Sequence, residues 1–196
     1  MRVVNFFRAN ETVYMVMNYE SGRSLQEHIL RNRNKEQKDV LSERFVRRVF
    51  AQVMNGLREV HSNRLLHLDV KPANILIDAY NDAGLADFGL AALIDPDMPL
   101  RETVEAITPA YAPPEVFAKQ PVTEYADVYS LAATLYAILS GHPPRWSETM
   151  EMLSLPEMIK RQKVPIKRIP GVDKAFMDAL LSAMAEQPES RPTAAQ

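Results

Sequence analysis

The chain has 196 residues, enough for one domain with a sizeable core, and 46% of them are hydrophobic, an ordinary share for a globular protein. Its 23 basic and 25 acidic residues leave a formal net charge of -2, so neither nucleic acid nor an anionic membrane is expected as a partner. Cysteine is absent, which excludes disulfides and thiolate metal sites and fits a reducing compartment, by default the cytoplasm.

The opening residues, Met1 to Asn5, carry a positive residue but no sustained apolar core and no small-residue cleavage site, so no secretory signal is read there. Val3 to Arg8 and Thr12 to Asn18 are β-branched and aromatic-rich runs around Ala9-Asn10-Glu11, which predicts two antiparallel strands and a short turn. Ser21-Gly22 breaks the strand, and Leu25 to Leu30 starts a short helix. Asn32 to Asp39 is polar and charge-dense, and reads as a solvated loop rather than a binding patch. Ser42 can cap the next helix, along which Phe45, Val46, Val49, Phe50, Val53, Met54, Leu57 and Val60 recur at steps of three and four, ending near His61-Ser62-Asn63.

The stretch from His67 to Ile77 sets an acid, a cation and an amide at fixed spacing before an apolar run that reads as a short buried strand. Asp69 can accept a hydroxyl proton, Lys71 can neutralise a transferring phosphoryl group, and Asn74 offers a hard amide oxygen to a divalent cation. Asp87-Phe88-Gly89 adds a carboxylate for Mg2+, a ring to lock the loop to a core, and a glycine that permits a bend. From Asp87 to Glu115 no strong periodicity appears, and Pro96, Pro99, Pro109, Pro113 and Pro114 mark a long functional loop rather than a packed element. Glu124 to Leu139 is apolar nearly all round, as a buried helix should be. Its longest apolar run, Val128 to Leu139, falls short of the roughly 20 residues a bilayer span takes, and Tyr129, Ser130 and Thr134 interrupt it, so no membrane insertion is expected. Gly141-His142-Pro143-Pro144 stops that helix, Ser147 to Arg161 predicts an irregular one, and Val172, Phe176, Leu180, Leu181 and Met184 predict an amphipathic one starting near Asp173.

Three ordered motifs carry a resemblance. His67-Leu68-Asp69-Val70-Lys71-Pro72-Ala73-Asn74, Asp87-Phe88-Gly89 and Ala112-Pro113-Pro114-Glu115 resemble the H-R-D-x-K-x-x-N, D-F-G and A-P-E motifs of eukaryotic-type protein kinases, at family spacing. The resemblance implies an α+β, protein-kinase-like fold with a mainly helical large lobe and a truncated β small lobe. Residues 1–20 would be a remnant of the small lobe and hinge, and residues 21–196 the large lobe, its last helix cut short at Thr193 to Gln196. It also implies an ATP-dependent protein kinase that uses Mg2+ and acts on protein substrates. A lysine two residues after Asp69, together with Thr108 in Thr108-Pro109-Ala110-Tyr111, points to serine and threonine hydroxyls.

Carried over residue by residue, the resemblance makes Asp69 the base, Lys71 the phosphate contact, Thr108 the bridge between them, and Asn74 and Asp87 the Mg2+ ligands. Met17 falls at the gatekeeper, Tyr19 in the hinge, and Leu25 and Leu76 beside the nucleotide. His67 is then a core residue stacked on Phe88, in a spine with Val3, and not a general base. Asp127 is expected to be buried and to hold the catalytic-loop backbone, and Arg191 to pair with Glu115 in a buried, bidentate contact.

Two departures shape the expectations. Leu68 replaces the arginine that in the family motif receives the activation-loop phosphate, so activity is expected not to depend on phosphorylation through this position. No G-x-G-x-x-G-x-V loop and no V-A-I-K lysine precede the catalytic loop, so this chain alone is expected to bind ATP weakly and transfer phosphate poorly. A non-catalytic kinase-like binding module is the second reading, and a small-molecule phosphotransferase a third. The sequence leaves substrate, pathway and oligomeric state open.

Overall fold

The structure is a computed structural model and describes residues 3–17, 21–34, 41–94, 108–145 and 154–195. β1 (Val3–Ala9) and β2 (Thr12–Met17) pair as an antiparallel hairpin. Asn10 and Glu11 form its turn at φ 50° and 58°. Positive φ at both central residues gives a turn whose twist matches that of the strands. Across the pair Phe7 stacks on Tyr14 with ring centroids 5.0 Å apart, the kind of cross-strand contact that sets register.

β3 (Gly22–Ser24) runs directly into α1 (Leu25–Asn34). The helix continues through Asn34, so the first residues of the stretch read as a loop from Asn32 are helical; residues 35–39 of that stretch lie outside the described residues. A helix seated on buried Leu25 gains one bond for each residue added, and polar side chains do not stop it. α2 (Glu43–Ser62) begins where the Ser42 hydroxyl accepts the Phe45 N–H at 3.2 Å. Its buried residues, Val46, Val49, Phe50, Val53 and Leu57, follow the helical period read from the sequence.

β4 (Leu65–Leu66) precedes the loop that carries the site. β5 (Ile75–Asp78) follows that loop and lies between β3 and β6 (Ala83–Leu85), antiparallel to both. Ile75 and Ile77 of β5 enter one core with Leu25, Val49, Val53 and Leu57, while Leu76 points to the opposite, partly open face. Gly22 is required where it stands, because a Cβ there would come within 2.3 Å of the Ile77 carbonyl oxygen. These strands have three or four residues, too few for alternation to declare them in the sequence.

β7 (Ala92–Leu93) pairs antiparallel with β4, Leu65 opposite Leu93 and Leu66 opposite Ala92. The stretch from Asp87 to Glu115 therefore does contain packed elements, β7 and the start of α3 (Pro114–Phe117); its residues 95–107 lie outside the described residues. α4 (Glu124–Ser140) is the central helix, buried over most of its length, and Gly141 closes it at φ 84° with its N–H on the Ala137 carbonyl. α5 (Leu155–Arg161) is the described part of the irregular helix predicted from Ser147, since residues 147–153 lie outside the described residues. α6 (Lys174–Ala183) is capped by Asp173 and packs Met177 and Leu180 against Tyr129, Ala133 and Tyr136 of α4. No helix among the described residues is long and apolar enough to cross a membrane.

Candidate active site

The loop between β4 and β5 is held from below by one carboxylate. Asp127 of α4 is fully buried, and its two oxygens accept the backbone N–H groups of His67 at 2.9 Å and Leu68 at 2.8 Å. His61, from the last turn of α2, adds a third contact to Asp127 Oδ2 at 2.9 Å. This clamp supports a strained backbone, because Leu68 sits in the left-handed region at φ 67°, where a side chain costs roughly 1–2 kcal/mol.

His67 is fully buried. Its Nδ1 accepts the Asp69 N–H at 3.3 Å and its Nε2 donates to the Ala86 carbonyl at 3.0 Å, so the ring carries its proton on Nε2. The ring also packs on Phe88, with centroids 4.7 Å apart. Both nitrogens are thereby committed to the backbone, and His67 joins Asp69 to the segment that carries Asp87. The Val3 side chain, named with them as a spine, lies outside the described residues.

On this support Asp69, Lys71 and Thr108 meet in a closed triangle. The Thr108 hydroxyl donates to Asp69 Oδ1 at 2.7 Å, and Lys71 Nζ donates to Thr108 Oγ1 at 2.8 Å and to Asp69 Oδ2 at 2.6 Å. Asn74, in a 3-10 turn that opens with Pro72, directs its Nδ2 to the Asp69 carbonyl and to Oδ2, both at 2.9 Å. That orientation leaves Asn74 Oδ1 with no donor among the described residues. Asp87 is exposed, at φ 60°, with Oδ1 accepting the Gly89 N–H at 3.2 Å. The Ala86 N–H donates to the Asn74 carbonyl at 2.8 Å, which ties the Asp87 strand end to the loop. Among the described residues no group of three or more His, Cys, Asp or Glu side chains gathers as a ready-made metal cage.

The four residues linked to the nucleotide fare differently. Leu76 is half-buried and lines an open cavity of about 240 Å3 with Ser21, Gly22 and Leu85. Leu25, 1% exposed, lies in the core and not on that cavity. The Met17 side chain and Tyr19 lie outside the described residues.

Beyond the triangle, α3 is anchored by a buried ion pair. Arg191 donates to both carboxylate oxygens of Glu115, at 2.7 and 2.8 Å, and to the carbonyls of Ala185, Tyr125 and Glu186. Its guanidinium also lies 5.0 Å from the centre of the Tyr129 ring. Every part of the pair is therefore satisfied, and deleting one partner alone would strand a buried charge at a cost of about 3–5 kcal/mol. Leu68, in place of the family arginine, packs with Leu66, Ala112, Val116 and Phe117 in an apolar cluster that also takes in Leu90, Ala92 and Ile94.

Tyr111, just past Thr108, is mostly buried, and burial pushes its phenol up from 10.0 to about 12. The folded chain thus favours the neutral phenol. This contribution to stability is fully present below pH 10 and is lost as pH rises through about 12. Burial also raises the phenols of Tyr129 and Tyr136, so an ultraviolet titration of the tyrosines is expected to show a late phase whose amplitude Tyr111→Phe lowers by one tyrosine; an unchanged late amplitude would contradict the burial account.

The fold and this constellation define a protein-kinase-like large lobe with part of a small lobe. The protein kinase domain family model matches residues 1–196. The chain is 32% identical over 190 residues to serine/threonine-protein kinase PLK2 of Mus musculus, covering 96% of this chain and 26% of that protein. It is 31% identical over 198 residues to serine/threonine-protein kinase shk1/pak1 of Schizosaccharomyces pombe, covering 99% of this chain and 29% of that protein. With serine/threonine-protein kinase polo of Drosophila melanogaster it shares 28% over 193 residues, 98% of this chain and 31% of that protein. It spans about a quarter to a third of the length of these curated relatives. The chain belongs to the protein kinase domain family.

His61 went unread in the sequence. His61 is the last-turn histidine of an amphipathic helix, and only its apposition to Asp127 across 66 positions gives it a role.

Proposed function

We propose that this chain is the large-lobe part of an ATP-dependent kinase that phosphorylates serine and threonine hydroxyls of protein substrates. The observation that carries the reading is the triangle of Asp69, Lys71 and Thr108. The Thr108 hydroxyl donates to Asp69 Oδ1 at 2.7 Å, the geometry a base requires of a hydroxyl whose proton it takes. An incoming serine or threonine hydroxyl would use the same carboxylate. Lys71, held against both other members, puts a fixed positive charge where negative charge grows on the transferring group. Asn74 keeps the Asp69 carboxylate from rotating.

Asn74 Oδ1 and the outward carboxylate of Asp87 are two hard oxygen donors, which suits Mg2+, a cation usually held by one or two protein oxygens with phosphate and water completing its shell. Bound there, Mg-ATP would supply the phosphoryl group. Leu76 and the backbone at Ser21 and Gly22 would border the base, with Met17 and Tyr19 at the hinge and Leu25 in the core on the other side of β5. On this reading residues 1–20 belong to the small lobe and hinge and residues 21–196 to the large lobe.

Burial of Leu68 in an apolar cluster with Leu66, Ala112, Val116 and Phe117, which offers no cation to a phosphate, supports the view that activity does not depend on phosphorylation through this position. The full-length protein, given labelled ATP, Mg2+ and a mixture of serine, threonine and tyrosine peptides, is expected to label serine and threonine. Prior phosphatase treatment should leave the rate unchanged. Label on tyrosine would overturn the specificity, a large loss on phosphatase treatment would overturn the role of Leu68, and no label with no Mg-ATP affinity would point to a non-catalytic binding module.

A further inference from the structure

Outside the catalytic triangle, the side chain of Gln52 joins two elements. It stands half-buried on α2, one turn after Arg48. Its Nε2 donates to Asp82 Oδ1 at 2.6 Å and its Oε1 accepts the Ala83 N–H at 2.9 Å, across 30 and 31 positions of chain. Arg48 donates to the same Asp82 oxygen at 2.6 Å. β6 lies at the edge of its sheet, with β5 as its strand partner. An edge strand leaves backbone groups without a neighbouring strand to pair them, and the Gln52 amide meets one of these. An amide suits the place, because it offers an acceptor to the N–H and a donor to the carboxylate from one plane.

The strand so held borders both halves of the nucleotide site. Asp82, Ala83, Gly84 and Leu85 line the same cavity of about 240 Å3 as Leu76, which lies opposite Gly84 in register. Just past its other end comes Ala86, whose N–H is bound to the Asn74 carbonyl, and then Asp87. β6 is thus tied at its start to α2 and just beyond its end to the catalytic loop. Arg48 and Asp82 are about half exposed, at 51% and 52%, and an ion pair of that kind holds little by itself. The Gln52 amide, half-buried and bound to backbone as well as to carboxylate, is the stronger tie.

We propose that Gln52 is a positioning residue for nucleotide binding: by holding the start of β6 to α2 it fixes the cavity wall beside Leu76 and the strand that leads into Asp87. Its nucleotide half rests on the kinase reading above. Gln52→Leu keeps most of the side-chain volume and removes both bonds. Arg48→Leu removes the exposed ion pair and leaves both bonds of the amide. Gln52→Glu combined with Asp82→Asn exchanges donor and acceptor between the two side chains and keeps an acceptor for the Ala83 N–H.

Hydrogen exchange on the full-length protein tests the tie without any nucleotide. In Gln52→Leu the backbone amides of residues 83–86 should exchange about three- to ten-fold faster, the size of one lost hydrogen bond, with residues 46–57 of α2 unchanged. Arg48→Leu and the double variant should stay within about two-fold of wild type. Calorimetric titration with Mg-ATP should give a Kd raised about three- to ten-fold in Gln52→Leu. A peptide assay should show the KM for Mg-ATP raised to match, with kcat and the KM of the peptide unaltered. Unchanged exchange at 83–86, or uniform acceleration along the chain, overturns the tie. An equal effect of Arg48→Leu assigns it to the ion pair and overturns the role of Gln52. Wild-type Mg-ATP affinity that Gln52→Leu keeps overturns the positioning role alone, whereas no affinity in the wild type overturns the kinase reading and this role with it.

Discussion

Asp69→Asn in the full-length protein is expected to lower phosphoryl transfer by about 1,000-fold, within the range for loss of a positioned general base. Asparagine occupies nearly the same volume, so the loop should keep its shape. Its oxygen can still accept from the Thr108 hydroxyl or from Asn74, but it is no longer a base, and the ion pair with Lys71 at 2.6 Å is gone. The loss should fall on kcat, with nucleotide affinity and melting temperature little changed. Transfer of labelled phosphate to a peptide, measured beside a thermal melt, separates chemistry from folding. Turnover within a few-fold of wild type would refute Asp69 as the base.

A large loss of stability is expected from Asp127→Ala. The substitution strips the acceptor from the N–H groups of His67 and Leu68, in a loop where these residues are 0% and 6% exposed, and from His61 as well. Each buried donor left unpaired costs about 1–3 kcal/mol, which gives about 2–6 kcal/mol for the two backbone N–H groups. Domains of ordinary stability hold only about 5–15 kcal/mol in reserve. A fall in melting temperature of about 10 °C or more is expected. Amide exchange at His67 and Leu68 should rise with it, because the strained φ of Leu68 loses its restraint. A cost below about 1 kcal/mol would mean that water or another group replaces the carboxylate without penalty.

What the sequence reveals here follows from how far apart the cooperating residues lie. Asp69, Lys71 and Asn74 share one loop, so their spacing alone suggests a phosphate and cation site. The long helices α2 and α4 declare themselves by period and by uniform apolarity. The roles of Asp127, Glu115 and Arg191 are readable only through family motifs, because partners separated by 59 to 76 positions leave no local trace. His61 falls outside those motifs and becomes visible only as a contact. The sheet of β3, β5 and β6 is likewise a product of tertiary pairing, with Gly22 admitted by the 2.3 Å approach of the Ile77 carbonyl.

The short ladder between β4 and β7, with the Ile94 N–H on the Arg64 carbonyl at 2.8 Å, fastens one end of a stretch whose other end Thr108 fastens to Asp69 and Lys71. Both fastenings sit on the loop between β4 and β5 or next to it. The two clasps draw on separate partners, so loss of one leaves the partners of the other in place.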